Sequence, residues 1–443
     1  MRRTLLPLIL CSILGTPALA QDIPAGVTLA TRYSKAGRPL VAVRPIGAPD
    51  AIRTTADQVA NIIGNDLRLS DRYEMIAAPL TLASGPVDYA GWNSLRVYYL
   101  VTGELSVSGA GYDLALELHD VVYTNVKQSA RFTLPQATSP EFRMAVHTVS
   151  DEIVRWISNQ PGMAASRVTF IRQNGGGSYD LLVVDADGHD MRRLIGSPGQ
   201  IYSPVWSHDG RKVAFASSTG DGWQLTERDM AAGTTRRITE GDLIQTPAYA
   251  PDGRLYFASW VTTGRTWGLE LHVFDGEGVQ RVTNTRGIEN LSPSVSPDGR
   301  QLAFHSNRTG RQHIYVMPTG GGNALMISPV GESAEFHAPD WSPTGNDIVF
   351  HGSSRGIFQL MRADGARPGA TVTQLTSTGR SEDPSWAPDG RHIVYTGVGA
   401  SGPGLYVIDV ITGEIRQLVS GRSLRTPDWS GSLARTAVPG SRP

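Results

Sequence analysis

Two strings in this chain carry residue types that could do chemistry. Gly352-Ser353-Ser354-Arg355-Gly356 matches the nucleophile-elbow pattern, in which a serine on a sharp turn attacks a carbonyl carbon. That chemistry requires a strand before the serine, a helix after it, and Asp and His partners in the same sheet. Here Ile348-Val349-Phe350 reads as the strand, but another strand-like stretch follows, so catalysis by Ser354 is not expected. Asp185-Ala186-Asp187-Gly188-His189-Asp190 resembles part of an oxygen-ligand calcium loop. It lacks the closing glutamate and the flanking helices, so a hairpin turn is expected. The ten histidines are scattered singly, with no two at ligand spacing. Neither a zinc site, nor a cofactor, nor a catalytic residue is therefore expected.

The remaining residues with functional character lie just ahead of a recurring proline. They are Tyr202; Leu243, Gln245 and Thr246; Glu289, Asn290 and Leu291; Glu332, Glu335, Phe336 and His337; Glu382 and Asp383; and Arg422, Leu424 and Arg425. Apolar groups beside charges suit a docking rim, with anchors inside a polar surround. Protein binding is the chemistry expected of them.

The element that positions these loops is a cassette, Ser/Thr-Pro-x-aromatic-x-x-Asp-Gly. Its prolines (Pro204, Pro247, Pro293, Pro339, Pro384, Pro427) lie 43, 46, 46, 45 and 43 residues apart. Six even copies imply an all-β six-bladed propeller over residues 163–432, with the loops framing its channel. Aromatics of the inner strands (Trp206, Tyr249, Trp341, Trp386, Trp429) can wedge between blades. The pairs Asp209-Gly210, Asp252-Gly253, Asp298-Gly299 and Asp389-Gly390 fit hairpin turns, glycine taking the positive φ. A second-strand segment at 167–171 has no inner strand before it, and Thr426-Pro427-Asp428-Trp429 is an inner strand with nothing after it. The two orphans should complete one blade and close the ring.

Ahead of the propeller, residues 37–162 read as an α/β domain. It opens with the strand Leu40–Val43 and an amphipathic helix through Ile52, Ala56, Val59, Ile63 and Leu67. Antiparallel strands follow at 98–107, 112–122 and 126–134. A closing helix is announced by Ser139 as N-cap and Pro140 at its first position, with Phe142, Val146, Val149, Ile153, Trp156 and Ile157 as its core stripe. Asn159-Gln160-Pro161-Gly162 then marks a hinge.

Residues 1–20 read as a secretory signal, with Arg2 and Arg3, an apolar run over 5–14, and Ala18-Leu19-Ala20 at the cleavage end. The run is shorter than the ~20 residues that cross a bilayer, and no later segment is longer, so an exported soluble protein is expected. Cys11, the single cysteine, falls inside the signal. The mature chain needs no disulfide, because a chain this long buries ample core without one. Its charge is near neutral with no long run of one sign, which argues against a nucleic-acid surface. Residues 21–36 look like a mobile leader with the alternation Val27, Leu29, Thr31, and 433–443 like a tail.

The ordered combination of signal, small α/β domain and Ser-Pro-x-Trp-Ser-Pro-Asp-Gly propeller resembles the TolB family of periplasmic Tol-Pal components. Gly37-Arg38-Pro39, Ser150-Asp151-Glu152 and Pro427-Asp428-Trp429-Ser430 extend the resemblance over the mature chain. It implies a monomeric, non-enzymatic periplasmic protein that supports outer-membrane integrity and constriction during division. It further implies that the lipoprotein Pal docks at the propeller mouth through Leu243, Thr246 and Leu291, to which the loop reading adds Glu289, Glu335 and His337. TolA would be reached through the leader, at Val27, Leu29, Thr31, Arg32 and Tyr33, where this chain lacks the acidic residues and the isoleucine-valine run associated with the family. Two other classes compete. One is a stand-alone periplasmic glycan- or peptide-binding propeller. The other is a remnant of a propeller peptidase, for which the 14 residues after Trp429 leave no room for a catalytic domain.

Overall fold

The computed structural model describes residues 26–29 and 37–434, apart from 219, 221, 332, 333 and 355. The expected signal, the leader residues Thr31, Arg32 and Tyr33, the loop residue Glu332 and the tail beyond 434 lie outside the described residues.

The N-terminal domain is one five-stranded sheet in the order Glu74–Ala77, Leu40–Val43, Val97–Ser108, Gly111–Asp120, Asn125–Pro135. Leu40–Val43 runs parallel to both of its neighbours and the later strands pair antiparallel. Helices α1 (Arg53–Leu69), α2 (Tyr89–Ser94) and α3 (Phe142–Ser158) complete the domain. The stripe Ala56, Val59, Ile63, Leu67 of α1 and the stripe Phe142, Val146, Val149, Ile153 of α3 share one buried core with the sheet. Each of these side chains larger than alanine contributes roughly 1.5–3 kcal/mol by leaving water.

The start of α3 differs slightly from expectation. The Ser139 hydroxyl accepts the N–H of Glu141 at 3.3 Å, which turns the chain, and the helix begins only at Phe142. Asn159 ends it at a positive φ of 56°, a conformation that asparagine tolerates better than most residues. The sequence reading missed α2 and Glu74–Ala77, which are short. Asp88 caps α2 by accepting the N–H of Gly91 at 3.0 Å.

Six antiparallel four-stranded sheets then follow around one channel, as the repeat spacing requires. Leu424–Trp429 pairs antiparallel with Arg167–Gln173, in register Asp428 to Thr169 and Trp429 to Val168. The last inner strand thus completes the first blade. The Trp429 indole N–H donates to the Ser166 hydroxyl at 2.7 Å, fixing the closure beside the interdomain linker.

One segment departs from the mobile-leader expectation. Val27–Leu29 adds in parallel to Val372–Gln374, as a fifth strand on the outer edge of blade 5. The outermost strand of that blade is short and its edge otherwise open, so any extended segment within reach gains its unpaired backbone groups. Val27 packs against the blade core, as do the partly buried Ala366 and Ala370.

Each inner strand is interrupted at the same place. The residue before the repeat proline adopts a positive φ at Ser203, Thr246, Ser292, Ala338, Asp383 and Thr426, between 44° and 50°. The strand register shifts there in all six blades. Proline has no N–H to offer the neighbouring strand, so the ladder breaks into a bulge and the strand twists toward the channel. Left-handed backbone costs a non-glycine residue about 1–2 kcal/mol, which the surrounding sheet must offset six times.

Candidate functional site: the propeller mouth and channel

The bulges leave backbone N–H groups that the sheet does not satisfy, and side chains of the preceding blade accept them. Ser292 N–H donates to Thr246 Oγ1 at 3.0 Å, Ala338 N–H to His305 Nδ1 at 3.3 Å and Asp383 N–H to His351 Nδ1 at 3.1 Å. One step deeper, the residue after each proline links to the next blade. Trp341 N–H donates to Ser294 Oγ, Trp386 N–H to Asp340 Oδ2, Trp429 N–H to Ser385 Oγ and Trp206 N–H to Asp428 Oδ2, at 2.7–3.0 Å. Val205 and Ala248 stand at the same position in the other two blades and have no acceptor. There the blades are joined by other bonds, Tyr249 Oη–H to Glu227 Oε2 at 2.8 Å and Ser292 N–H to Thr246 Oγ1.

Within this ring lies a cavity of about 320 Å³, lined by the cassette residues themselves, among them Thr246, Ala338, Asp340, Asp383 and Asp428. Burial pushes the Asp340 carboxyl up to about 6 against the N–H donors that favour its ionised form. Burial, with Glu382 nearby, raises Asp383 to about 6 as well, and burial raises Asp428 well above the usual carboxylate range.

Of the six residues read as a Pal surface, Thr246 lines the cavity, whereas Leu243, Glu289, Leu291, Glu335 and His337 stand at the strand entries around it. All six are half-buried. They form one arc across blades 3, 4 and 5. The Leu243 carbonyl accepts the N–H of Trp260, Glu289 accepts from Gln312 Nε2 at 3.1 Å, and Leu291 pairs with His305 across the strands. Glu335 sits 3.7 Å from Arg311 and 3.8 Å from His337 Nε2.

Sequence spacing gave no sign of the imidazole cluster at the centre of this arc. His305 and His337 have ring centroids 5.1 Å apart, His337 and His351 5.5 Å, and Phe358 packs edge-on against the last two. The histidines are thus not all isolated in space. His305 and His351 each accept a backbone N–H at Nδ1, so the ring proton of each sits on Nε2 and neither offers that nitrogen to a metal. Burial holds His305 down to about 3 and His351 well below the usual imidazole range, so both are neutral.

Ser354 ends a strand that pairs antiparallel with Ile357–Ala363, Ser354 opposite Ile357. A strand follows, where the nucleophile-elbow pattern requires a helix. Asp185–Asp190 forms a hairpin turn, with Gly188 N–H bonded to the Asp185 carbonyl at 2.8 Å. Among the described residues two clusters come close enough to hold a metal: Asp66, His147 and Asp187, and Asp71, His392 and Asp409. The second is already filled by ion pairs. His392 uses both ring nitrogens, on Asp389 at 2.7 Å and Asp71 at 3.3 Å, and Asp409 is held by Arg391.

Comparison with known proteins adds the family. The TolB beta propeller domain family matches residues 155–433 and the TolB amino-terminal domain family matches 33–126. The Tol-Pal system protein TolB of Bordetella pertussis is 26% identical over 419 residues, covering 90% of this chain and 91% of that protein. The protein of the same name from Methylococcus capsulatus is 30% identical over 192 residues, a match that spans 42% of this chain and 45% of that relative's length. The crystal structure of TolB from Acinetobacter baumannii superposes with a TM-score of 0.77 at 23% identity, over 91% of this chain and 98% of that one.

Proposed function

The chain belongs to the TolB family, and from that premise we propose that it is the periplasmic, non-enzymatic propeller component of a Tol-Pal envelope system. In this reading Pal docks on the mouth arc at Leu243, Thr246, Glu289, Leu291, Glu335 and His337, and TolA contacts the leader over 21–36. The protein thereby supports outer-membrane integrity and constriction at division, as a monomer exported by its signal. The observation that supports the reading best is the arc itself, where half-buried apolar groups (Leu243, Leu291) alternate with carboxylates and a neutral imidazole cluster. The hydrogen bonds between blades hold that arc in place, so a partner docks on a surface that needs little ordering.

Docking of Val27–Leu29 on blade 5 supports a role for the leader as a detachable strand. A parallel edge strand of three residues is held weakly enough to exchange for a partner. The test is to release the periplasmic contents of an expressing bacterium by osmotic shock and recover the protein by affinity tag. Mature protein starting at Gln21, with Pal in the same eluate, is the expected result. Retention in the cytoplasm, or an eluate free of Pal, would contradict the reading.

A further inference from the structure

Among the described strands of the propeller the longest hairpin belongs to blade 3, where Leu255–Thr263 pairs with Thr266–Phe274. Its end carries two tryptophans, Trp260 and Trp267, stacked with ring centroids 4.7 Å apart and planes within 8° of parallel. Trp260 stands opposite Leu269 and Trp267 opposite Thr262, so the rings are diagonal neighbours on one face of the hairpin. That face turns toward blade 4: Ala258 and Tyr256, which alternate onto the same side of the strand, share a buried core with Phe304 of blade 4, and Leu291 packs on it. The Trp260 N–H donates to the Leu243 carbonyl at 3.0 Å and the Leu269 N–H to the Ile288 carbonyl at 3.1 Å. The stacked pair therefore rises between the strand entries of blades 3 and 4, among Leu243, Glu289 and Leu291. Trp267 is 52% exposed, the one exposed tryptophan among the described residues. A lone exposed ring needs no explanation, whereas one continuous with half-buried Trp260, Leu243, Ile288 and Leu291 makes an apolar patch of the kind that marks a docking site.

Two arginines flank the patch, Arg265 in the turn of the hairpin and Arg286 just ahead of Ile288. Both are exposed, and neither has an ion pair among the described residues. The carboxylates of the arc are engaged, Glu289 by Gln312 and Glu335 by Arg311, which leaves Asp242 as the unengaged acid of these loops. We propose that Trp260 and Trp267, with Arg265 and Arg286, anchor the protein that docks at the mouth, and that its contacting surface is apolar and acidic. The inference rests on the docking reading above and adds to it the residues that hold the partner and the chemistry they select. Tryptophan and arginine are the residue types that carry most of the energy of protein interfaces. Each ring holds the other in place, so the pair loses little side-chain freedom on binding. A guanidinium without a partner takes a carboxylate through two parallel hydrogen bonds, and that sets the sign of charge the partner must bring.

The experiment titrates purified Pal into the full mature chain and its variants, with binding followed by calorimetry and by iodide quenching of tryptophan fluorescence. Trp267 is the ring that iodide reaches in the free chain, so Pal should shield it. Trp267→Ala should weaken binding at least about tenfold, and Trp267→Phe should recover part of the loss. Arg265→Glu together with Arg286→Glu should weaken it at low salt and flatten its dependence on salt. Trp267, Arg265 and Arg286 are all exposed, so these variants should melt as the wild type does. A wild type that binds Pal beside a Trp267→Ala chain that binds it equally would overturn the anchor and leave the mouth reading standing. No binding of Pal by the wild type would overturn both. Shielding of Trp267 by an N-acetylglucosamine oligomer, with Pal leaving it open to iodide, would overturn the protein partner in favour of a glycan.

Discussion

Asp71, in the N-terminal domain, lies 3.3 Å from Nε2 of His392 in blade 6, while Nδ1 of the same ring lies 2.7 Å from Asp389. The ring is fully buried between two carboxylates that come from different domains. Arg72, Arg391, Arg416 and Asp409 surround it, with Arg416 on Asp71, Arg72 on Asp389 and Arg391 on Asp409. Burial opposes the imidazolium, but the two carboxylates prevail and raise His392, and the same pairing holds Asp389 down to about 2.

The pH dependence follows from the direction of that shift. A histidine raised above its unfolded value of about 6.5 contributes stability fully present below that pH and lost as pH rises through the folded value. Thermal melts from pH 6 to 9 should show the N-terminal domain loosening from the propeller on the alkaline side. In His392→Gln the slope should shrink, His147 being raised as well and supplying part of what remains, with a cost of about 3–5 kcal/mol for the orphaned carboxylates. A wild-type melting temperature flat over this range would contradict the coupling.

At the mouth the sign reverses. His305 and His351 are depressed, so the unfolded chain binds protons there that the folded chain refuses, and stability falls as pH drops below about 6.5. His351→Ala leaves the N–H of Asp383 without its acceptor and should cost at least about 1–3 kcal/mol at pH 7.5. Urea unfolding at pH 5 and pH 7.5 checks both statements, since the penalty of the variant should be smaller at pH 5.

Ring closure is tested by its last strand. Truncation before Arg425 strips blade 1 of its inner strand and exposes the edge of Arg167–Gln173. The whole propeller should melt lower, and Trp429→Ala alone should cost about 3–5 kcal/mol. An unchanged melting temperature in the truncated chain would refute closure by this strand.

The leader strand calls for a milder probe. Val27→Asp places a charge against the apolar edge of blade 5 near Ala366 and Ala370 and should detach Val27–Leu29. Limited proteolysis should then clip the leader several times faster while the propeller melts as before. Equal cleavage rates would mean that the strand contributes nothing to holding the leader.

The sequence made the propeller legible because one cassette recurs at a blade's length, and because Asp-Gly turns and orphan strands carry local signals that need no tertiary knowledge. The mouth loops were legible as well, since they are what varies ahead of each proline. Their imidazole cluster was not. His337 and His351 are cross-strand partners within blade 5, and His305 meets them because blade 4 is its neighbour, a juxtaposition that no regular spacing announces. The same reason hid Asp71 with His392, on separate domains, and Asp66 with His147, on separate helices of one domain, pairs more than eighty residues apart. The positive φ before each proline was also invisible, because Ser, Thr, Ala and Asp at that position do not demand it.

Docking at the mouth arc is tested most directly by titrating purified Pal into the chain carrying Leu291→Arg together with Glu335→Arg, beside the wild type. Both positions are half-buried at the rim, so the variant should keep its circular dichroism and melting temperature. Saturable binding by the wild type and none by the folded double variant is the predicted result. Equal affinity in both would contradict it and move the contact to another surface.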